Sequence, residues 1–166
     1  MPSPFDAALL DRAAALIKAY GARGEMVATA ESCTGGLVSA LLTEIAGSSA
    51  VVDRGFVTYS NEAKQAMLGV PEALLTAHGA VSEPVARAMA EGALAHSRAH
   101  VAVAITGIAG PGGGTADKPV GLVHFACARR GGETLAIEKR FGDLGRAEVR
   151  RAALLCALDL FEARSG

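Results

Sequence analysis

Two hydrophobic periods alternate along the chain. Leu9, Ala13, Leu16, Ile17 and Tyr20 recur at helical spacing, with Asp11, Arg12 and Lys18 on the other side, which predicts an amphipathic helix ended by Gly21 and Gly24. Met26–Ala30 reads as a strand. From Thr34 to about Ala46 the pattern is helical again, with Thr34 as cap and Gly47 as stop. Ala50–Val52 and Gly55–Tyr59 predict an extended segment bent near Arg54-Gly55. A short helix follows over Asn61–Leu68 with Ser60 or Asn61 as cap, then another from Pro71 to Ala77 closed by Gly79. Glu83 to about Ser97 is helical, with Val85, Met89 and Leu94 at core spacing.

After its first residue His100–Ile105 is apolar throughout, as a strand covered on both faces is. A glycine-rich loop, Thr106–Lys118, leads to a second continuous run, Val120–Ala128. Arg129–Gly132 reads as a hairpin turn into Leu135–Arg140, whose alternation marks a sheet edge. The last helix runs from about Gly145 to Ala163, with Val149, Ala153, Cys156 and Leu160 on one stripe. Helices alternating with buried strands predict an α/β fold: a single three-layer α/β/α domain over residues 1–166. Its sheet is mixed and mostly parallel, because Val120–Ala128 and Leu135–Arg140 lie too close together for a crossover helix.

Composition sharpens this picture. A chain of 166 residues suits one domain with a full core. Apolar residues make up 51% but aromatics only 4%, so the core is expected to pack helix on sheet through small side chains. A net charge of −1 with both signs scattered argues against nucleic-acid binding, which needs a basic stripe. No apolar stretch approaches the ~20 residues that span a bilayer, and the first residues show no signal peptide. Cys33, Cys127 and Cys156 are odd in number and far apart, which points to a reduced, cytoplasmic protein. Much alanine with little aromatic bulk also leaves a homo-oligomer as an expectation.

Chemistry concentrates where strands end. Ala30-Glu31-Ser32-Cys33-Thr34-Gly35-Gly36 reads as a sharp strand-to-helix turn, which holds a hydroxyl beside helix amides that suit a phosphate or an oxyanion. Gly55–Lys64 and Thr106–Gly114 lie at the ends of two other strands, and in open α/β sheets ligands bind beyond such ends. The loop Gly107–Thr115 is neither a P-loop nor a dinucleotide fingerprint, and by itself reads as a connector. Ser32 stands on the first turn, free to face a ligand. Cys33 rivals it as nucleophile, although His78, His96, His100 and His124 show no pairing motif with it. Lys64 follows the apolar Phe56–Tyr59 stretch. A lysine buried there loses hydration, its pKa falls, and it can act as a base toward serine. By spacing alone Ser60–Lys64 competes with Ser32–Lys64, and Ser60 is given the capping role. Glu31, Asp53, Glu62 and Glu83 have no metal-ligand spacing with His or Cys, so no metal or cofactor is expected.

Taken together, Ala30–Gly36, Ile45–Ser49, Arg54–Lys64, His78–Ser82, Ile105–Pro111 and Lys118–Gly121 resemble the CinA C-terminal domain family, whose members include nicotinamide-nucleotide amidases. The resemblance covers nearly the whole chain, and in its stand-alone form. It implies a metal-free serine–lysine amidohydrolase that cleaves the carboxamide of nicotinamide mononucleotide to nicotinic acid mononucleotide and ammonia. The nucleophile then falls on Ser32 and the base on Lys64, with Tyr59 and Thr106 near the reacting centre. Glu31, Thr34, Gly35, Gly36, Ser48, Gly107 and Arg146 fall on the substrate-binding side, with Arg146 matching an arginine that pairs with phosphate. The alternative is a non-catalytic nucleotide-binding or regulatory module built on the same turns.

Overall fold

The computed structural model describes residues 1–165. Strands β1 (Val27–Glu31), β2 (Val52–Val57), β3 (Val101–Gly107), β4 (Leu122–Arg129) and β5 (Leu135–Arg140) form one sheet in the order β2-β1-β3-β4-β5. β2 and β3 flank β1 in parallel, β4 runs antiparallel to β3, and β5 antiparallel to β4. All strands but β4 therefore share a direction, so the sheet is mixed and mostly parallel. Helices α1 (Ala7–Ala22), α2 (Leu37–Thr43) and α6 (Arg146–Arg164) cover one face. On the other lie α3 (Asn61–Leu68), α4 (Glu72–His78) and α5 (Glu83–Ala95). Among the described residues no helix is long and apolar enough to cross a membrane.

Period two along the strands makes the two faces unlike. Val27, Val101, Val103, Ile105, Phe125 and Cys127 point into a bulky core shared with Leu9, Leu16, Tyr20, Leu41 and Phe161. The alternate positions Ala28, Ala30, Ala102, Ala104, Ala126 and Ala128 present methyl groups to α5. The alanine-rich composition thus has a location: one face of the sheet, where helix backbones come close. At Gly92 on α5 an added Cβ would stand 2.0 Å from the carbonyl oxygen of Leu68, so α3 and α5 meet backbone to backbone.

Several boundaries differ from the sequence pattern, each for a local reason. α2 is shorter at both ends. Gly35 and Gly36 adopt φ of +58° and +102°, a left-handed turn that delays the helix to Leu37. At the far end the Thr43 hydroxyl donates to Ser39 O at 2.7 Å, and the helix stops at that residue, before Gly47. A 3-10 turn, Ser48–Ala50, then enters β2. The predicted bend in β2 is a bulge at Asp53, since Val27 pairs with Val52 but Ala28 with Arg54. The carboxylate of Asp53 explains the irregularity by accepting from Arg98 N at 2.8 Å and pairing with the Arg98 guanidinium. α1 continues through Gly21 to Ala22. β5 is an edge, as its alternation predicts, and β2 is the other.

Candidate active site

Strands β1 and β2 end level with each other, and the parallel β3 runs two residues further. Glu31 pairs with Val57 on one side and Ile105 on the other, so the next residues, Thr58, Ser32 and Thr106, come side by side. The ladder persists one step past β1, because Ser32 N donates to Ile105 O and Thr58 N to Glu31 O, both at 2.9 Å. By the period of two, these three positions continue the side lined by Ala28, Ala30 and Ala104, toward α3–α5. The sheet thus sets three hydroxyl residues in a row beneath the α3 layer, all nearly or fully buried.

The base enters from α3. Ser60 Oγ accepts from Ala63 N at 3.0 Å and caps that helix, which resolves the competition between Ser60 and Ser32 in favour of capping for Ser60. One turn later Lys64 drops through the layer and is 1% exposed. Its Nζ lies 3.1 Å from Ser32 Oγ and donates to Thr58 O at 2.7 Å. Among the described residues no carboxylate contacts this amine. Burial pulls its pKa below the ordinary lysine value, with Cys33 acting in the opposite direction. A desolvated amine without a counter-charge, in hydrogen-bond reach of a serine, can accept that serine's proton.

The turn that carries Ser32 is held from behind. Glu31 is completely buried on the α2 side. Its Oε1 accepts from Thr34 Oγ1 at 2.7 Å and Val38 N at 2.9 Å, and its Oε2 from Ser39 N at 3.1 Å. This carboxylate, not Thr34, caps α2: Thr34 spends its proton on Glu31. The amides of Val38 and Ser39 are therefore already occupied, and Glu31 and Thr34 lie behind the cleft rather than in its lining. The Gly35 amide is likewise committed, donating to Ser32 O at 3.0 Å. Gly36 supplies the left-handed turn and also lies outside the cleft lining. Arg150, one turn along α6 from Arg146, clamps the same turn by donating to Cys33 O at 3.1 Å and Thr34 O at 3.3 Å.

In front of Ser32 lies a cleft of about 200 Å³, walled by Ser32, Cys33, Tyr59, Asn61, Lys64, Ala80, Val81, Thr106, Gly107, Ala109 and Arg146. Thr106 Oγ1 donates to Ala80 O at 2.9 Å and ties the Ala80-Val81 wall to the end of β3. Arg146 opens α6 at the mouth, donating to Gly110 O at 2.8 Å and to Tyr59 Oη at 2.9 Å. Both partners are neutral, and no carboxylate lines the cleft among the described residues. The cleft therefore joins a serine, a buried amine and an unneutralised guanidinium. Cys33 and Gly107 also line it, and the Cys33 amide, outside any helix or strand, finds no backbone acceptor among the described residues. Burial pushes the Cys33 thiol up to about 11, so it stays protonated at neutral pH and is a poor rival to Ser32.

The structure thus assembles Ser32, Lys64, Tyr59, Thr106, Gly107 and Arg146 in one cleft. It does not bring Ser48 there. Ser48 sits where β1 and β2 begin, next to Val51, whose carbonyl accepts from Val27 N, so it lies at the opposite end of these strands from Ser32. Three histidines have structural contacts: His100 Nδ1 accepts from Met26 N, His96 Nδ1 bonds Gly92 O, and His124 lies beside Glu138. No three His, Cys, Asp or Glu side chains gather to hold a metal among the described residues. Sequence reasoning missed Asn61 and Arg150, though spacing marks both. Asn61 lies three residues before Lys64 and Arg150 four after Arg146, each on a shared helix face.

A model of the CinA C-terminal domain family matches residues 10–164. A nicotinamide-nucleotide amidohydrolase, PncC, from Escherichia coli is 54% identical over 154 residues, 92% of each chain. A CinA-like protein of Anaeromyxobacter sp. is 56% identical over 148 residues, 89% of this chain but 35% of its own. The chain therefore spans about a third of the length of that relative. Among solved structures, the competence/damage inducible protein CihA from Agrobacterium tumefaciens superposes with a TM-score of 0.97 at 56% identity, covering 99% of this chain and 100% of that one. A CinA superfamily protein from Klebsiella pneumoniae follows at 0.89 and 36%, covering 95% and 97%.

Proposed function

The chain belongs to the CinA C-terminal domain family, and on that footing we propose that it hydrolyses the carboxamide of nicotinamide mononucleotide to nicotinic acid mononucleotide and ammonia. The Escherichia coli relative supports the substrate by its name. The observation that carries the chemistry is the 3.1 Å contact between Ser32 Oγ and the buried Lys64 Nζ. Neutral Lys64 takes the serine proton as Oγ attacks the carboxamide carbon. The oxyanion forms opposite the amide of Cys33, and one such donor supplies about 3 kcal/mol. As the C–N bond breaks, the Lys64 ammonium gives its proton to the departing amide nitrogen, which leaves as ammonia. Water then attacks the serine ester, giving one proton to Lys64, and the carboxylic acid leaves as the Ser32 hydroxyl is restored.

Geometry also supports a substrate that continues past the ring. The cleft, at about 200 Å³, is smaller than the roughly 300–1,000 Å³ of pockets that engulf whole ligands. It accommodates the reacting ring and leaves the sugar phosphate at the mouth, where Arg146 stands. Tyr59 holds the guanidinium in place, and Thr106 orients the wall facing Ser32.

The test is ammonia release from nicotinamide mononucleotide, nicotinamide riboside and free nicotinamide. Turnover of the mononucleotide, with the two substrates lacking phosphate far slower, is the expected result. Tight binding of the mononucleotide without ammonia would instead favour the non-catalytic nucleotide-binding module.

A further inference from the structure

Thr58 is fully buried, and its Oγ1 makes no hydrogen bond among the described residues. Buried hydroxyls are costly to leave unpaired, and nearly all find partners. The rest of this residue is fully engaged: its N–H donates to Glu31 O at 2.9 Å and its carbonyl accepts from Lys64 Nζ at 2.7 Å. The orphan oxygen therefore belongs to the residue already gripping the catalytic amine.

Proton counting gives it a use. Neutral Lys64 has a lone pair for the Ser32 proton and two N–H groups, one of which goes to Thr58 O. After proton transfer it is an ammonium with three N–H groups in a buried site. Ser32 Oγ accepts one and Thr58 O another. A charged, buried N–H with no acceptor is expensive. We propose that Thr58 Oγ1 is the third acceptor, a positioning residue that holds the protonated state of Lys64 formed on the way to the tetrahedral intermediate. The inference rests on the Ser32–Lys64 reading above. It explains why an unpaired hydroxyl persists where valine would fill the same space: the partner exists only during turnover.

Thr58→Val and Thr58→Ser in the whole protein, beside Lys64→Ala, test it through ammonia release from the mononucleotide and the thermal unfolding midpoint. Thr58→Val is expected to lower kcat roughly 10- to 100-fold, the worth of a hydrogen bond to a charged group. KM is expected to stay near the wild-type value and the midpoint not to fall, because no hydrogen bond of the resting protein is lost. Thr58→Ser is expected to recover most of kcat. Wild-type kcat in Thr58→Val would overturn the inference, as would a loss that tracks a lowered midpoint and is not rescued by serine. If Lys64→Ala itself turns over normally, the dyad reading fails first and takes this inference with it. An inactive Lys64→Ala beside a fully active Thr58→Val sinks the inference alone.

Discussion

Lys64→Met removes the amine while keeping an unbranched apolar side chain, and stability should respond in a way that depends on pH. Lys64 is 1% exposed, and among the described residues no carboxylate contacts it, so burial depresses its folded-state pKa below the ordinary 10.5. In the unfolded chain the group titrates near its reference value of about 10.4. Between the two values the unfolded chain holds a proton that the folded chain has shed, and folding stability rises with pH. Below the depressed value both states are protonated and the full penalty stands, about 1.4 kcal/mol for each unit of depression. Above the unfolded value it is gone. Methionine carries no such penalty, but it strips Thr58 O of its donor, which costs about 1–3 kcal/mol at every pH. The stability of Lys64→Met relative to wild type is therefore expected to be most favourable at neutral pH. It should decline by up to about 1.4 kcal/mol per pH unit as alkaline pH relieves the wild-type protein. Urea unfolding of both proteins from about pH 6 to about pH 10 reads this directly. Parallel curves across that range would mean that the amine stays charged in the folded protein, and Lys64 as a general base would fall.

Two further outcomes follow from named contacts. Arg146→Ala removes a guanidinium held by Gly110 O and Tyr59 Oη, and is expected to cost about 1.5–3 kcal/mol of phosphate binding. That appears as a roughly 10- to 150-fold rise in KM for the mononucleotide, with the riboside unaffected; equal losses on both substrates would remove Arg146 from phosphate recognition. Glu31→Gln sets an amide N–H against one of the amides of Val38 and Ser39 that the carboxylate now accepts from, and is expected to lower folding stability by about 1–3 kcal/mol. Unchanged urea unfolding would show that the α2 terminus does not depend on that charge.

Much of the fold was legible because its layers repeat simple periods. The apolar runs at His100–Ile105 and Val120–Ala128 became paired central strands, and the alternating Leu135–Arg140 an edge. Alanine content foretold close packing but not its restriction to one face, which is a property of strand register rather than of composition. In the site, Ser32, Lys64, Tyr59, Thr106, Gly107 and Arg146 line one cleft. The error at α2 is instructive: a threonine before an apolar helix looks like a cap, yet Glu31 at the end of β1 reaches the same amides first. Period two placed Glu31 on the α2 side, so the signal was present but competed with a common capping pattern. Ser48 could be separated from Ser32 only once the pairing of Val27 with Val52 showed at which end of the strands it lies. Thr58 reads in the sequence only as part of the buried stretch before Lys64, because an unpartnered hydroxyl is something no sequence displays.

The most direct measurement is mass analysis of the protein quenched in acid during turnover of nicotinamide mononucleotide. An ester of the nicotinic acid mononucleotide on the peptide bearing Ser32, absent from Ser32→Ala along with ammonia release, is the result expected here. A folded Ser32→Ala protein that still releases ammonia at the wild-type rate would contradict it.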